Sequence, residues 1–324
     1  MVVEFIETLV LHGDVCHEVV SNLQQNYEIA SGKHRPPNDG KMVCMKQNIL
    51  IVTNGYKETW SAIEQGAWLA KNLEADITLL GVTENLNPAA IDDHHPLEDV
   101  FEKAVSLFDA EGLAYKLEVQ NGSAEEVIPM KAKEKESIVV LSPLGRNQIK
   151  RFIAGRSIRH FMEEIEQPIL YVPQTRLPVK KILTCMGGLG YEVTAEHLAV
   201  KIAMKSRAEI TLLHIAPPVD LDYPTSRAIR DHWQTPEDTD TPIGRSLRQA
   251  LEIAKADGLT ATIKGRQGTV VEEILAEAKE GNYDLLCMGS SYSVQSLRQM
   301  YSANVTADIA ESMHCPVLTA RFKK

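Results

Sequence analysis

The sequence predicts an α/β protein built from two tandem parallel sheets, each flanked by helices. Short β-branched runs such as Ile138–Leu141 alternate with longer helical segments, which is typical of parallel strands joined by right-handed crossovers. The pattern then repeats. Ile49–Leu50 recurs as Ile182–Leu183. Ile77–Leu80 recurs as Ile210–Leu213, at the same spacing of 133 residues. The chain therefore contains two copies of one α/β unit.

The first copy is predicted to contain five strands connected by helices. The strand segments are Ile49–Thr53, Ile77–Val82, Tyr115–Val119, Ile138–Leu141 and Ile169–Val172. Apolar residues at helical spacing predict helices over Thr59–Ala75 and Glu98–Glu111. A third helix is predicted to begin after Ser123, because serine is a favoured N-cap and the glutamates that follow suit the positive end of a helix. A fourth begins at Arg156 and ends at Gln167, which precedes a proline.

The chain is expected to divide into an extension and two domains. Residues 1–45 fit neither copy and are predicted to be a weakly ordered N-terminal extension. We expect the first domain over residues 46–174 and the second over residues 175–324, with the connection at Pro173–Lys180. The second copy carries 13 additional residues between its second strand and second helix, within Pro217–Thr241.

Composition excludes several classes of protein. The chain has 324 residues, 44% of them hydrophobic, and a formal net charge of −10. That charge argues against general binding to nucleic acid or to anionic membranes. No apolar run approaches the ~18 residues that span a bilayer, and no secretory signal pattern is evident, so a cytoplasmic location is expected. The five cysteines are scattered and odd in number, which favours free thiols.

A basic loop follows the strand Ile138–Leu141. It contains Gly145 and Gly155 and leads into the start of a helix. Glycines permit close approach of the backbone, and free N–H groups at a helix start point towards an anion, so this arrangement can hold a phosphate. The loop and helix start carry five basic residues: Arg146, Lys150, Arg151, Arg156 and Arg159. The alternative interpretation is a solvated basic surface.

A repeated unit with these loops resembles the tandem members of the universal stress protein family, over residues 48–172 and 181–321. The resemblance implies two doubly wound, Rossmann-like, five-stranded parallel sheets with strand order 3-2-1-4-5. Nucleotide-binding members carry the motif G-x-x-G, nine residues, then G-[S/T] after the fourth strand. An Asp after the first strand contacts the nucleotide in those members.

The first copy departs from that motif. Ser142 replaces the first glycine, Arg156 replaces the final Ser/Thr, and Asn54 replaces the Asp. Asparagine can still accept a hydrogen bond from a ribose hydroxyl. The family motif implies nucleotide contacts from Thr53, Asn54, Gly55, Val82, Gly145, Arg146, Gly155, Arg156 and Ser157. The alternative is an inherited loop that only connects two elements.

The second copy departs from the motif at different positions. Gly289 retains the first glycine, whereas Tyr292 replaces the second, and its side chain could fill the pocket. The corresponding contacts implied by the family are Met186, Gly187, Gly188, Gly289, Ser290, Ala303, Asn304 and Val305.

Other chemistry is weakly indicated. No nucleophile–base pair, metal cage or P-loop is present, so no catalytic or metal-binding residues are assigned. The segment Asp92–His95 is interpreted as a solvated loop, and Cys287 and Cys315 as core thiols. His214 ends a strand at the sheet edge where ligands bind in such folds, but a structural role is favoured over contact with a nucleotide.

The resemblance implies a cytosolic stress-response protein that binds or senses ATP or AMP without strong catalysis, with Mg²⁺ at most accompanying the nucleotide. The alternative is a nucleotide-independent interaction scaffold with decayed sites, and a slow ATPase or phosphotransferase is the least supported reading. Family members pair through their last strands. We therefore expect an intramolecular pseudo-dimer in which Ile169–Val172 and Val317–Ala320 lie antiparallel. A further homodimer is left open.

Overall fold

The computed structural model describes residues 47–83, 96–144, 157–187, 193–216, 218, 224–290 and 305–321. The strands in these ranges are β1 (Asn48–Thr53), β2 (Asp76–Thr83), β3 (Tyr115–Asn121), β4 (Ser137–Leu141), β5 (Ile169–Tyr171), β6 (Lys181–Cys185), β7 (Glu209–Ala216), β8 (Ala261–Gln267), β9 (Leu285–Ser290) and β10 (Val317–Arg321). The helices are α1 (Trp60–Leu73), α2 (Pro96–Ala110), α3 (Ala124–Glu134), α4 (Ser157–Glu164), α5 (Val193–Ser206), α6 (Pro224–Asp231), α7 (Pro242–Ala256), α8 (Val270–Gly281) and α9 (Val305–Ser312).

The ten strands form one continuous sheet with the order β3-β2-β1-β4-β5-β10-β9-β6-β7-β8. Each half therefore has the predicted order 3-2-1-4-5, and the α/β fold class is confirmed. Every strand pair within a half is parallel. The two halves meet where β5 and β10 pair antiparallel, with Leu170 opposite Leu318. This confirms the predicted pairing of the last strands.

The central strands are buried on both sides, as expected for a doubly wound parallel sheet. All six residues of β1 are buried. Successive side chains point to opposite faces, so Ile51 packs in one apolar cluster and Val52 in the other. The first cluster lies between the sheet and helices α1, α2, α5 and α7. The second lies between the sheet and helices α3, α4, α8 and α9.

Polar contacts reinforce the junction between the two halves. Arg159 on α4 binds Asp308 on α9 at 2.6 Å and Glu311 at 3.3 Å. Lys205 on α5 reaches Glu74, at the end of α1, at 2.7 Å. The connecting segment is also anchored, because Thr175 donates to the Glu64 carboxylate at 2.7 Å.

The additional residues of the second copy cover its outer strand. They include α6 and a 3₁₀ turn at Pro236–Asp238. The carbonyl oxygen of Trp233 lies 1.7 Å from the position that a Cβ atom would take at Gly265 on β8. Only glycine at this position allows so close an approach. The structure thus assigns the insertion a packing role that its composition did not indicate.

Other expectations have mixed outcomes. Ser123 occupies the predicted N-cap position of α3, but its side chain makes no capping hydrogen bond to the described amides. No helix in the described ranges is long and apolar enough to cross a membrane. The extension at residues 1–45 and the loop Asp92–His95 lie outside the described residues. The domain boundaries stay a prediction.

Candidate functional site

In each half, the carboxyl ends of the two central strands form a topological switch point, and the space outside these strand ends is called the crevice of that half. In the first half, β1 leads to α1 on one face of the sheet, whereas β4 leads towards α4 on the other face. The helices that follow these neighbouring strands therefore lie on opposite faces of the sheet. In the second half, β6 and β9 lead in the same way to α5 and α9. Open α/β sheets bind ligands at such a topological switch point.

The first crevice begins with a tight turn after β1. Thr59 donates its hydroxyl proton to the Tyr56 carbonyl at 2.6 Å. The Thr53 hydroxyl lies 2.6 Å from the Thr59 hydroxyl and must therefore be the donor between them. The Gly55 amide donates to the Thr53 hydroxyl at 3.1 Å, and Gly55 has φ = 85°, a conformation that favours glycine. The Thr53 hydroxyl therefore holds the turn after β1 together.

Two polar side chains lie buried at the ends of β1 and β4. Asn54 is 7% exposed and Ser142 is 4% exposed. The Ser142 hydroxyl has no hydrogen-bond partner among the described residues. A buried hydroxyl without a partner costs about 1–3 kcal/mol, so a ligand or water oxygen that reached it would recover that cost. Ser142 was noted in the sequence only as a lost glycine, and no local pattern marks its hydroxyl as unpaired.

The remaining predicted residues of the first copy are placed as follows. Val82 is buried, with its side chain in the core beneath α3, so only its backbone can face a ligand. Ser157 is the first residue of α4. Gly145, Arg146, Gly155 and Arg156 lie outside the described residues. Their contacts stay a prediction.

Arg159, one of the five basic residues that cluster in the sequence, binds carboxylates of the second half. Its guanidinium hydrogen-bonds Asp308, and this contact raises the pKa of Arg159 above its usual value. Arg159 therefore stabilises the junction between the halves and does not face a phosphate.

In the second crevice, a hydrogen bond joins the residue that follows β6 to a side chain of β7. Met186 is buried, and its carbonyl accepts from Nδ1 of His214 at 2.9 Å. A proton on Nδ1 leaves Nε2 as the acceptor of the neutral ring. The structural role favoured for His214 matches this contact. Gly187 is exposed beside Met186.

The other predicted residues of the second copy lie around β9 and α9. Gly289 and Ser290 end β9, where they pair with Ala320 and Arg321. Val305 is the first residue of α9. Gly188, Tyr292, Ala303 and Asn304 lie outside the described residues.

The thiols have the expected character. Cys287 and Cys315 are buried at 0% and 4% exposure. Burial raises the pKa of both thiols, that of Cys315 to about 12, so neither is an activated nucleophile at neutral pH. No group of three metal-ligating side chains occurs in the described part of the chain.

The second half contains a buried ion cluster beside α8 that was not predicted from the sequence. Glu277 is fully buried and accepts from Lys264 at 2.6 Å, Arg266 at 3.0 Å and the Tyr283 hydroxyl at 2.9 Å. Burial alone would raise the pKa of Glu277, but the hydrogen bonds from Lys264, Tyr283 and Arg266 outweigh burial and lower it. The first half has the same pair with reversed charges, because Lys131 binds Glu118 at 3.1 Å. Glu118 and Lys131 lie 146 residues before Lys264 and Glu277, respectively. The opposite charges at these corresponding positions were the sequence signal that could have revealed the ion pair.

Comparison with known proteins agrees with this geometry. The model of the universal stress protein family matches residues 45–173 and 178–321. The universal stress protein YxiE of Bacillus subtilis (strain 168) is 26% identical over 149 residues, which are 44% of this chain and 98% of that protein.

Two solved structures show the same fold across both halves. A universal stress protein from Archaeoglobus fulgidus DSM 4304 matches with a TM-score of 0.57 at 16% identity, covering 85% of this chain and 96% of that one. A putative universal stress protein from Pseudomonas aeruginosa UCBPP-PA14 matches with a TM-score of 0.57 at 15% identity, covering 85% and 93%. With the family match on both copies and strand order 3-2-1-4-5 in each half, the chain belongs to the universal stress protein family and is one of its tandem members.

Proposed function

We propose that this protein is a cytoplasmic stress-response protein that binds an adenine nucleotide, ATP or AMP, in the crevice of its first copy and turns it over slowly or not at all. The observation that carries this proposal is the buried Ser142 hydroxyl, which lacks a described partner at the switch point between β1 and β4. The turn Thr53–Gly55 lies at the end of the neighbouring strand.

The residues at this edge suit the parts of a nucleotide. Asn54 offers an amide that can bind a ribose hydroxyl without adding charge. The first turn of α4, which opens at Ser157, offers N–H groups and the positive end of a helix to a phosphate. Arg156 precedes that turn and would add a charge-assisted contact. Thr53 would act indirectly, because its hydroxyl holds the turn that presents Asn54.

The second copy is proposed to bind more weakly. Tyr292 replaces a loop glycine there, and we propose that its side chain takes space that a nucleotide would need. The Met186 carbonyl at this edge is already bonded by His214.

The test is nucleotide binding by the intact chain. Protein released by denaturation should yield co-purified nucleotide on chromatography, and calorimetry should give a micromolar or weaker Kd for ATP. Arg156→Ala should weaken binding by about 10- to 150-fold, because a charge-assisted contact contributes about 1.5–3 kcal/mol. Ser142→Ala should also weaken binding while leaving the fold intact.

Arg159→Ala is the matched control for Arg156→Ala. It removes an arginine three residues further along the sequence, but one whose guanidinium binds Asp308 and Glu311. It should leave ATP affinity unchanged. Absence of binding at millimolar ATP, with circular dichroism showing an intact fold, would overturn the proposal and favour an interaction scaffold.

A further inference from the structure

We propose that β3 is a self-association edge, through which two copies of this chain form a symmetric dimer by antiparallel pairing of their β3 strands. β3 is one end of the ten-stranded sheet, and β8 is the other. No described segment pairs with the outer side of β3. An open strand edge is a template for a further strand.

The backbone of β3 offers alternate residues to a partner. The Ala114 carbonyl accepts from Ile77, and the Gly122 amide donates to Thr83, so the even-numbered residues face β2. The odd-numbered residues Tyr115, Leu117 and Val119 therefore direct their N–H and C=O groups outwards. A partner strand centred on Leu117 would satisfy these groups in about six backbone hydrogen bonds.

Two apolar side chains lie exposed on one face of this edge. Leu117 is 39% exposed and Val119 is 56% exposed, on the face that carries α2. In the pairing centred on Leu117, the two Leu117 side chains lie side by side, and Val119 lies opposite Tyr115 of the second copy. The equivalent face of β8 is covered, because Trp233 packs over Gly265.

Charges on the other face of β3 select that register. Lys116 is 73% exposed and lies 2.7 Å from Glu118 on the same face. Pairing centred on Leu117 places each Lys116 opposite Glu118 of the second copy. Shifting the centre by one residue would instead place Glu118 opposite Glu118, or Lys116 opposite Lys116, and like charges in these positions are unfavourable.

β8 lacks this self-complementarity. Two β8 strands paired in the equivalent register, centred on Ile263, would place Lys264 opposite the uncharged Thr262, so no cross-strand charge pair forms. Centred on Gly265, they would place Lys264 opposite Arg266, and these two cations repel. The strand chemistry therefore identifies the partner of β3 as a second β3. A contact of one strand with its flanking side chains buries less area than stable dimers usually do, so the association should be weak and dependent on concentration, with a Kd of about micromolar or higher.

The experiment is sedimentation equilibrium of the full chain and two charge variants, separately and mixed. Lys116→Glu makes the edge wholly acidic. Glu118→Lys combined with Lys131→Glu makes it wholly basic, and it keeps an internal ion pair of the kind that Lys264 and Glu277 already form in the second half. Each variant alone should dimerise at least about tenfold more weakly than the native chain, because both cross-strand charge pairs become repulsive. An equimolar mixture should regain dimers, because both pairs are then complementary.

Thr262→Glu is the control, since it adds a glutamate at the equivalent exposed position of β8. It should leave the dimerisation constant unchanged. A native chain that stays monomeric up to about millimolar concentration would overturn the proposal. Variants that dimerise as tightly as the native chain, or a mixture that associates no better than its components, would overturn it as well.

Discussion

Glu277→Ala should destabilise the second half by about 3 kcal/mol. The substitution removes the acceptor of the Tyr283 hydroxyl, and Tyr283 is only 8% exposed. An unsatisfied buried donor costs about 1–3 kcal/mol. Neither cation is stranded, because Lys264 is 46% exposed and Arg266 keeps Glu273 and Glu280. The loss of their bonds to Glu277 therefore adds only about 1–2 kcal/mol after allowance for solvent screening.

The matched variant in the first half is Lys131→Ala, which removes the central group of the charge-reversed cluster. Its partners Glu118 and Glu134 have side chains 19% and 54% exposed, so water can replace much of the contact. A cost of about 1 kcal/mol is expected. Urea unfolding at constant m-value measures both variants. The reasoning fails if Glu277→Ala costs no more than Lys131→Ala.

The remaining predictions concern pH and the insertion. The pKa of Glu277 is lowered in the folded state, so its ionised form stabilises the fold in full above the ordinary carboxyl pKa, and this contribution is lost as pH falls below it. The native chain should therefore lose more unfolding free energy on acidification than Glu277→Gln, as measured by urea titrations at several pH values. Gly265→Ala should cost about 1–3 kcal/mol and shift tryptophan fluorescence, because the new methyl group meets the Trp233 carbonyl. Val119→Ala, at the equivalent position of β3, is the control and should change neither the unfolding free energy nor the tryptophan fluorescence in dilute solution. An unchanged fluorescence spectrum in Gly265→Ala would contradict the packing of the insertion against β8.

Sequence reasoning was reliable where a property depends on neighbours along the chain. The alternation of β-branched runs with helices, and its repetition, predicted the strands that form the sheet. The pairing of β5 with β10 was expected from the resemblance to a family whose single-domain members commonly pair through their last strands. It failed where a partner is distant. The sequence placed Arg159 in a cluster of five basic residues that suits either a phosphate or a solvated surface, but its partner Asp308 is 149 residues away and is brought close only by the junction of the halves.

The candidate site shows the same limit. The motif spacing predicted a nucleotide site after β4, and the motif glycines Gly145 and Gly155 lie outside the described residues. Gly55, in the turn after β1, has a positive φ of 85°. Whether the Thr53 or the Ser142 hydroxyl already has a hydrogen-bond partner depends on three-dimensional contacts that the sequence does not reveal. Thr53 is held by Thr59, whereas the Ser142 hydroxyl has no hydrogen-bond partner among the described residues.

The antiparallel junction of β5 and β10 reverses the direction of every strand between the two halves. The carboxyl ends of β1 and β4 therefore point one way along the sheet, and those of β6 and β9 point the opposite way. The two crevices open at opposite rims of the molecule. Communication between the two crevices would pass through the shared sheet and through the helices that meet across the junction.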